Sequence, residues 1–147
     1  MLNHAIRDLF VRDLNKAAEE IESYPSDEAL WTVSGDIANS AGNLGLHLAG
    51  NINHFFGAVL GNSGYVRERD LEFSSKGASR TEVADALRKA ADVAHKVIDE
   101  LSDEDLANDF PEQFAGKTVS NAWMIAHLLT HLNYHLGQIN YHRRLVG

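Results

Sequence analysis

The spacing of hydrophobic residues predicts a first long helix near the start of the chain. Between Leu2 and Ser23, apolar side chains recur every three or four positions, which places them on one face of an amphipathic helix. Tyr24-Pro25-Ser26 ends this helix, because the residue before a proline is disfavoured in helical geometry. Residues 27–39 show no clear period, so we expect them to form mostly loop.

A second helix is predicted from about Ser40, a suitable N-cap residue, to about Leu60. It contains glycines at positions 42, 45, 50 and 57. Each glycine costs up to about 1 kcal/mol relative to alanine in an exposed helix interior. We therefore expect this helix to pack tightly against its neighbours.

Two further helices complete the pattern. Ser79 and Glu82 match a capping box that opens a helix running to about Leu101. The last helix is predicted from about Ser120 to about Leu145. Charged and turn-forming residues make up the two connections, residues 61–77 and 102–117. Four long helices, each with one apolar stripe, predict an all-α four-helix bundle in a single domain.

Length, composition and charge narrow the class of protein. The 147 residues and 44% hydrophobic content suit one domain with one core. The sequence shows neither a signal-peptide pattern nor an apolar run of about 18 residues, so we expect a cytoplasmic protein without a membrane partner. The 13 basic and 21 acidic side chains give a formal charge of −8, which argues against a nucleic-acid partner.

The side-chain inventory favours histidine chemistry. Cysteine is absent, which excludes disulfides, thiolate zinc sites and a cysteine nucleophile. Any thiol in a reaction must therefore come from a cofactor or a substrate. Histidine, with 8 copies, is the abundant residue able to bind a metal ion.

Three histidines lie four residues apart in the last predicted helix, in the sequence HLLTHLNYH of residues 127–135. Side chains at this spacing share a helix face, so either His127 with His131 or His131 with His135 can direct nitrogens at one ion. A single histidine in such a stripe is more often half-buried and bonded to a carbonyl. Three together multiply the need for partners, which favours a metal or a substrate.

A third ligand should come from another helix, since one face of one helix rarely encloses an ion. The second helix offers His47 and His54, which lie seven residues apart, so a single ion would take one of them. Asn51 lies between them. His54 precedes Phe55 and Phe56, which favours a place in the core or at its rim.

The remaining histidines are not expected at this site. His4 and His95 have no histidine neighbour on their helices and are expected at the surface. His142 lies beside Arg143 and Arg144, where a positive charge favours the negative end of the helix dipole.

Three segments of the chain match a known pattern. They are GNLGLHLAGNINHF at residues 42–55, GYVRERDLEF at 64–73 and HLNYHLGQI at 131–139. Together they resemble the DinB-like superfamily of metal-binding four-helix bundles, in a branch whose members are mostly uncharacterised. The resemblance covers nearly the whole chain in order, and H-x-x-x-H-x-G-Q is its most specific element.

The resemblance implies a metal site of three histidines, one from the second helix and two from the last. Carried over to this chain, the ligands are His47, His131 and His135, and the ion is zinc, nickel or a similar divalent transition metal. His127 then lies one turn before the site, beside it or in the core.

Other residues are expected near such a site. Asn51 and Tyr134 are candidates for the pocket wall. Gln138 is expected to bond the loop before the second helix, and Gly137 to let a neighbouring helix approach.

Three neutral imidazoles leave a position open on an ion, as in catalytic zinc sites. Some members of the superfamily are S-transferases, so the resemblance implies that the metal activates a low-molecular-weight thiol, such as bacillithiol or mycothiol, towards a small electrophilic substrate. Metal-dependent hydrolysis is an alternative that needs a base, and Glu68, Asp70 and Glu72 are available, although such residues are more often solvated loop charges. A non-catalytic metal-binding or structural bundle is the other alternative.

A homodimer is also expected. We predict that Phe10, Phe55 and Phe56 are exposed beyond the needs of one small bundle, and members of the superfamily often pair through helix faces.

Overall fold

Four long helices form the scaffold of the protein, whose structure is a computed structural model describing residues 2–146. In chain order, the α-helices of these residues are α1 (Leu2–Glu22), α2 (Asp27–Leu30), α3 (Ala41–Ile52), α4 (Arg69–Ser74), α5 (Arg80–Glu100), α6 (Asp103–Ala107) and α7 (Asn121–Val146). A π-helix, Asn53–Leu60, continues α3. The predicted all-α bundle is confirmed. The helices α1, α5 and α7 lie within one or two residues of their predicted bounds, and the second predicted helix corresponds to α3 together with the π-helix that ends at Leu60.

The three short helices lie in stretches predicted as loop or connection, because four to six residues are too few to show a helical period. Two of them carry recognisable caps. Ser26 accepts a hydrogen bond from the Ala29 backbone N–H, and Ser102 forms a capping box with Asp105. These caps were present in the sequence and are the signal that periodicity alone overlooks.

The core forms where α1 and α3 each pack against both α5 and α7. Phe10 and Phe56 meet there edge to face, with ring centroids 5.0 Å apart, and both are fully buried. The expectation that these two side chains are exposed is therefore wrong, because they fill the space between α1 and the π-helix. Phe55 is half-buried against Phe110.

The glycines of α3 allow the close packing predicted for this helix. A Cβ at Gly42 would come within 2.6 Å of the Trp31 ring, and one at Gly45 within 2.7 Å of Val83. Neither distance is compatible with a side chain at these positions unless the neighbour moves. Glycine therefore lowers the intrinsic helix stability of α3 but allows the neighbouring elements to contact its backbone closely.

His142 ties the segment after α2 to the end of α7. Its Nε2 lies 2.8 Å from the Thr32 carbonyl oxygen, and its Nδ1 lies 2.6 Å from the Tyr24 hydroxyl. His142 is buried, and these contacts across the fold are a role that the helix-dipole prediction did not include. Within residues 2–146, no helix combines the length and the apolar content needed to cross a membrane.

Candidate metal centre

Three histidine side chains converge between α3 and α7. Each of His47, His131 and His135 offers one ring nitrogen, and these nitrogens lie within 4.8 Å of one another. His47 Nε2 is 3.0 Å from His131 Nε2. The structure thus brings together the three residues that the sequence singled out, and it brings together the second of the two overlapping pairs on the last helix.

Helix geometry explains the convergence. His131 and His135 share one face of α7 because four residues make slightly more than one turn. That face lies against α3, where His47 is buried and its Nε2 faces His131. His131 and His135 are half-buried, so one side of the cluster is accessible.

Glu72 on α4 contacts Nδ1 of His47. This is the outer nitrogen of the ring, the one that faces away from the cluster. Its Oε1 lies 3.0 Å from His47 Nδ1, and Arg67 donates to the same carboxylate at 2.8 and 2.9 Å. Arg67 Nη2 is also 3.3 Å from His47 Nδ1, but its shorter contact is with Glu72. Glu72 is buried and already bonded to His47 and Arg67, so it is not a solvated loop charge and is not free to act as a base. Glu68 and Asp70 are exposed.

Gly50 makes room for this carboxylate. A Cβ at position 50 would overlap the side chain of Glu72, so α4 can lie against α3 with its carboxylate at His47 because residue 50 has no side chain. Sequence reasoning attributed the glycines of α3 to helix packing and did not connect Gly50 to the site.

Hydrogen bonds fix the tautomers of two of the three histidines. A carboxylate can only accept, so His47 carries its proton on Nδ1 and presents the lone pair of Nε2 to the cluster. His135 Nδ1 lies 2.7 Å from Gln138 Oε1 and donates to it, which leaves the His135 Nε2 lone pair free. Gln138 therefore orients His135, and the predicted bond to the loop before α3 is not formed.

The environment keeps these imidazoles neutral. Burial lowers the pKa of His47, even though its hydrogen bond to Glu72 acts in the opposite direction. Burial together with the positive potential of the neighbouring histidines lowers the pKa of His131 to about 3. Burial also lowers the pKa of His135. Neutral imidazole is the form that binds a metal ion.

The donor set fits a divalent transition metal. Imidazole nitrogens that share a tetrahedral zinc lie about 3.4 Å apart, close to the His47–His131 separation of 3.0 Å. Oxygen acceptors on the outer nitrogens of His47 and His135 are the support that metal-binding histidines usually have. His131 lacks this support, because its outer nitrogen, Nδ1, is buried without a hydrogen-bond partner within residues 2–146.

A family model described as "Protein of unknown function (DUF1572)" matches residues 2–147. The chain belongs to this family. DUF1572 is a DinB-like family, so the resemblance stated from the sequence is confirmed. The crystal structure of a DinB-like protein from Bacillus cereus ATCC 10987 matches with a TM-score of 0.69 at 19% identity, over 90% of this chain and 85% of that chain. This identity shows the fold alone, and no curated protein matches the chain significantly.

In this DUF1572 protein, the other histidines of the candidate helices lie outside the cluster. His127 is stacked on Trp123, with the rings 7° from parallel, and also contacts Phe114. His54 Nε2 lies 2.7 Å from Glu112 Oε1. His4 and His95 are exposed, as predicted.

The residues predicted beside the site differ in burial and in their distance from the cluster. Asn51 is buried one turn after His47, and its Oδ1 has no hydrogen-bond partner within the described residues. Tyr134 is exposed, with its ring 5.3 Å from that of His135. Gly137 is exposed and a Cβ there would contact nothing within 4 Å, so the expected approach of a neighbouring helix does not occur.

Proposed function

We propose that this DUF1572 protein holds one divalent transition metal ion, zinc or nickel, through His47, His131 and His135. We further propose that it is an S-transferase, which joins a low-molecular-weight thiol to an electrophile through the thiol's sulfur. The observation that carries the proposal is the convergence of three neutral imidazoles, two of them with the outer nitrogen fixed on an oxygen acceptor. Three protein nitrogens leave room for a further ligand, as in catalytic rather than closed structural sites.

The chemistry such an ion supplies when bound is to lower the pKa of a coordinated thiol or water. The protein contributes position and access. Glu72 and Gln138 hold two imidazoles in place, and the half-buried His131 and His135 leave one side of the cluster accessible. The protein has no cysteine, so the sulfur comes with the cosubstrate.

The transfer is a substitution at carbon. The thiol sulfur forms a bond to the electrophilic carbon as the bond to the leaving group breaks. The leaving group departs with the bonding electron pair, and the thiol proton passes to solvent. No oxidant or reductant is required.

Hydrolysis is less well supported by the same geometry. It requires a base beside the cluster that is free to accept a proton from water. The carboxylate that contacts the cluster is Glu72, and both of its oxygens already accept hydrogen bonds from Arg67. The engagement of Glu72 therefore favours thiol transfer over hydrolysis.

Metal analysis of histidine variants tests the ligand set. The protein is purified without a histidine tag, loaded with zinc or nickel, and analysed for metal per chain. We expect one ion per chain, with sharp loss in His47→Ala, His131→Ala and His135→Ala and full retention in His4→Ala and His95→Ala. Loss in His127→Ala together with retention in His135→Ala would show that the other pair on α7 binds the ion.

A rate comparison tests the reaction. The metal-loaded protein is offered bacillithiol, mycothiol and glutathione separately, each with chlorodinitrobenzene as acceptor and chloride as leaving group. We expect faster product formation than with His131→Ala for at least one thiol near neutral pH. Equal rates for every thiol, with no spectroscopic sign of a thiol–metal bond, would identify a non-catalytic metal-binding bundle instead.

A further inference from the structure

An open cavity of about 600 Å³ adjoins the histidine cluster. It lies between residues 34–39 and the C-terminal half of α7, and His135 and Gln138 form part of its wall. Cavities of roughly 300–1,000 Å³ are typical of small-molecule sites. A molecule bound in it would therefore extend away from the candidate metal centre along α7.

The cavity presents apolar side chains that the fold leaves uncovered. Ile37 is 43% exposed, Tyr141 67% and Leu145 83%, and all three contribute to the lining. Leu44 on α3 provides a buried apolar floor. Burial of this apolar surface by a ligand is favourable, because it removes the surface from water.

The charge of the cavity disfavours an anion. Among the described residues that line it, none is lysine or arginine, and Asp36 is the one acidic residue. His142 also lines it, but both of its ring nitrogens are engaged by Tyr24 and Thr32. Leu145 and Val146 bring the C-terminal end of α7 to the cavity. Of the two arginines in this last turn, Arg143 is paired with Glu20 and Arg144 lies over the Tyr141 ring, and neither lines the cavity.

We propose that this cavity binds the electrophilic acceptor, and that the acceptor is a neutral molecule with an aliphatic or aromatic body. The inference rests on the proposed thiol transfer and adds to it the substrate class. The reactive carbon lies at the His135 end, and the apolar body lies between Ile37 and Leu145. Thiols that carry carboxylates do not suit this wall, so the cosubstrate reaches the cluster from outside the cavity.

A series of matched electrophiles tests the substrate class. N-alkyl bromoacetamides from butyl to octyl share one reactive carbon, lose bromide in the transfer and differ in apolar length. We expect kcat/KM to rise roughly three- to fourfold per added methylene, the ratio that corresponds to burial of one CH₂. A carboxylate at the far end of the octyl chain should abolish the gain.

Paired variants locate the effect in the cavity. The double variant Ile37→Gln/Leu145→Gln changes two exposed side chains and should flatten the dependence on chain length while leaving the KM for the thiol unchanged. Leu2→Gln is the matched control, because Leu2 is 76% exposed at the other end of the chain and lies outside the cavity. An unchanged dependence in the double variant would overturn the proposal.

A binding measurement separates this proposal from the proposed function. N-phenyl-1-naphthylamine, a neutral fluorescent probe, should bind the metal-free protein, be displaced by the octyl amide, and be quenched when Co²⁺ is bound by the histidines. Transfer without chain-length dependence and without probe binding would refute the cavity assignment alone. Probe binding that depends on Ile37 and Leu145, with no transfer for any thiol, would refute the acceptor role together with the proposed function.

Discussion

The carboxylate of Glu72 occupies the space that a side chain at position 50 would fill. The nearest crowded position on the same helix is Gly45, where a Cβ would press on Val83 rather than on the site. These two glycines therefore separate a packing role from a role in holding His47.

Gly50→Ala should weaken metal binding although residue 50 contacts no ion. The added methyl group displaces Glu72 from His47, and loss of such an outer hydrogen bond typically costs about 10- to 100-fold in metal affinity. Competitive titration with a chromophoric chelator measures the dissociation constant. Gly45→Ala is the control and should keep the affinity; equal losses in both variants would show that crowding of α3, rather than the carboxylate, is responsible.

For single residues, the sequence predicted which histidines share a helix face but not the contacts that depend on distant parts of the chain. The four-residue spacing of His131 and His135 was sufficient to place them on one face, and the family pattern selected His47. The engagement of Glu72 depends on α4 folding back over α3, and no local signal in residues 64–73 encodes that contact. The burial of His142 likewise depends on Tyr24 and Thr32, which lie more than 100 positions away.

At the level of elements, a polar cluster joins α1 to α7. Glu20 is buried and accepts hydrogen bonds from Asn140 at 2.9 Å and Arg143 at 2.7 Å. Burial raises the pKa of Glu20, but the hydrogen bonds from Arg143 and Asn140 outweigh it and leave the pKa below its ordinary value. The ionised carboxylate therefore stabilises the contact between the two helices.

Glu20→Gln should destabilise the protein in a pH-dependent way. Because the folded pKa is lowered, the stabilising contribution is complete well above the unfolded value of about 4.3 and is lost as the pH falls through the folded value. We expect a loss of about 1–3 kcal/mol in urea unfolding at pH 7, shrinking below pH 4. Glu19→Gln, an exposed neighbour, is the control; a pH-independent difference for Glu20→Gln would contradict the assignment.

Long elements were predictable from sequence where short ones were not. The capping box of Ser79 and Glu82 and the apolar stripe that follows it placed α5 correctly, because twenty-one residues repeat the pattern many times. The π-helix after Ile52 gave no such signal, since its apolar residues also fit an ordinary helix. The 34–39 wall of the cavity is irregular, so no period in its sequence could predict it.

For the molecule as a whole, a bound ion should raise stability by mass action. A ligand present at 100 times its dissociation constant stabilises the folded state by about 2.7 kcal/mol, which corresponds to roughly 5–10 °C in Tm for a domain of this size. Thermal unfolding with zinc or nickel, reversed by chelator, measures the shift. His131→Ala should show no shift; a shift of equal size in this variant would place the ion elsewhere.

The homodimer remains a prediction on a changed basis. Phe10 and Phe56 are buried, but Trp123, near the start of α7 and outside the cavity, is 46% exposed. Light scattering should give twice the monomer mass of 16.2 kDa, and Trp123→Ser should reduce it. A mass of one chain for the unaltered protein at high concentration would reject the dimer.

The distance along the chain between the histidines has a consequence for folding kinetics. His47 and His131 are separated by 84 positions, so their nitrogens meet after α7 has docked on α3, not when either helix forms. Contacts of such long sequence separation require closure of a large loop and form late. During refolding, helical circular dichroism should therefore recover before the chain regains its capacity to take up metal, and metal uptake would report the docking of α7.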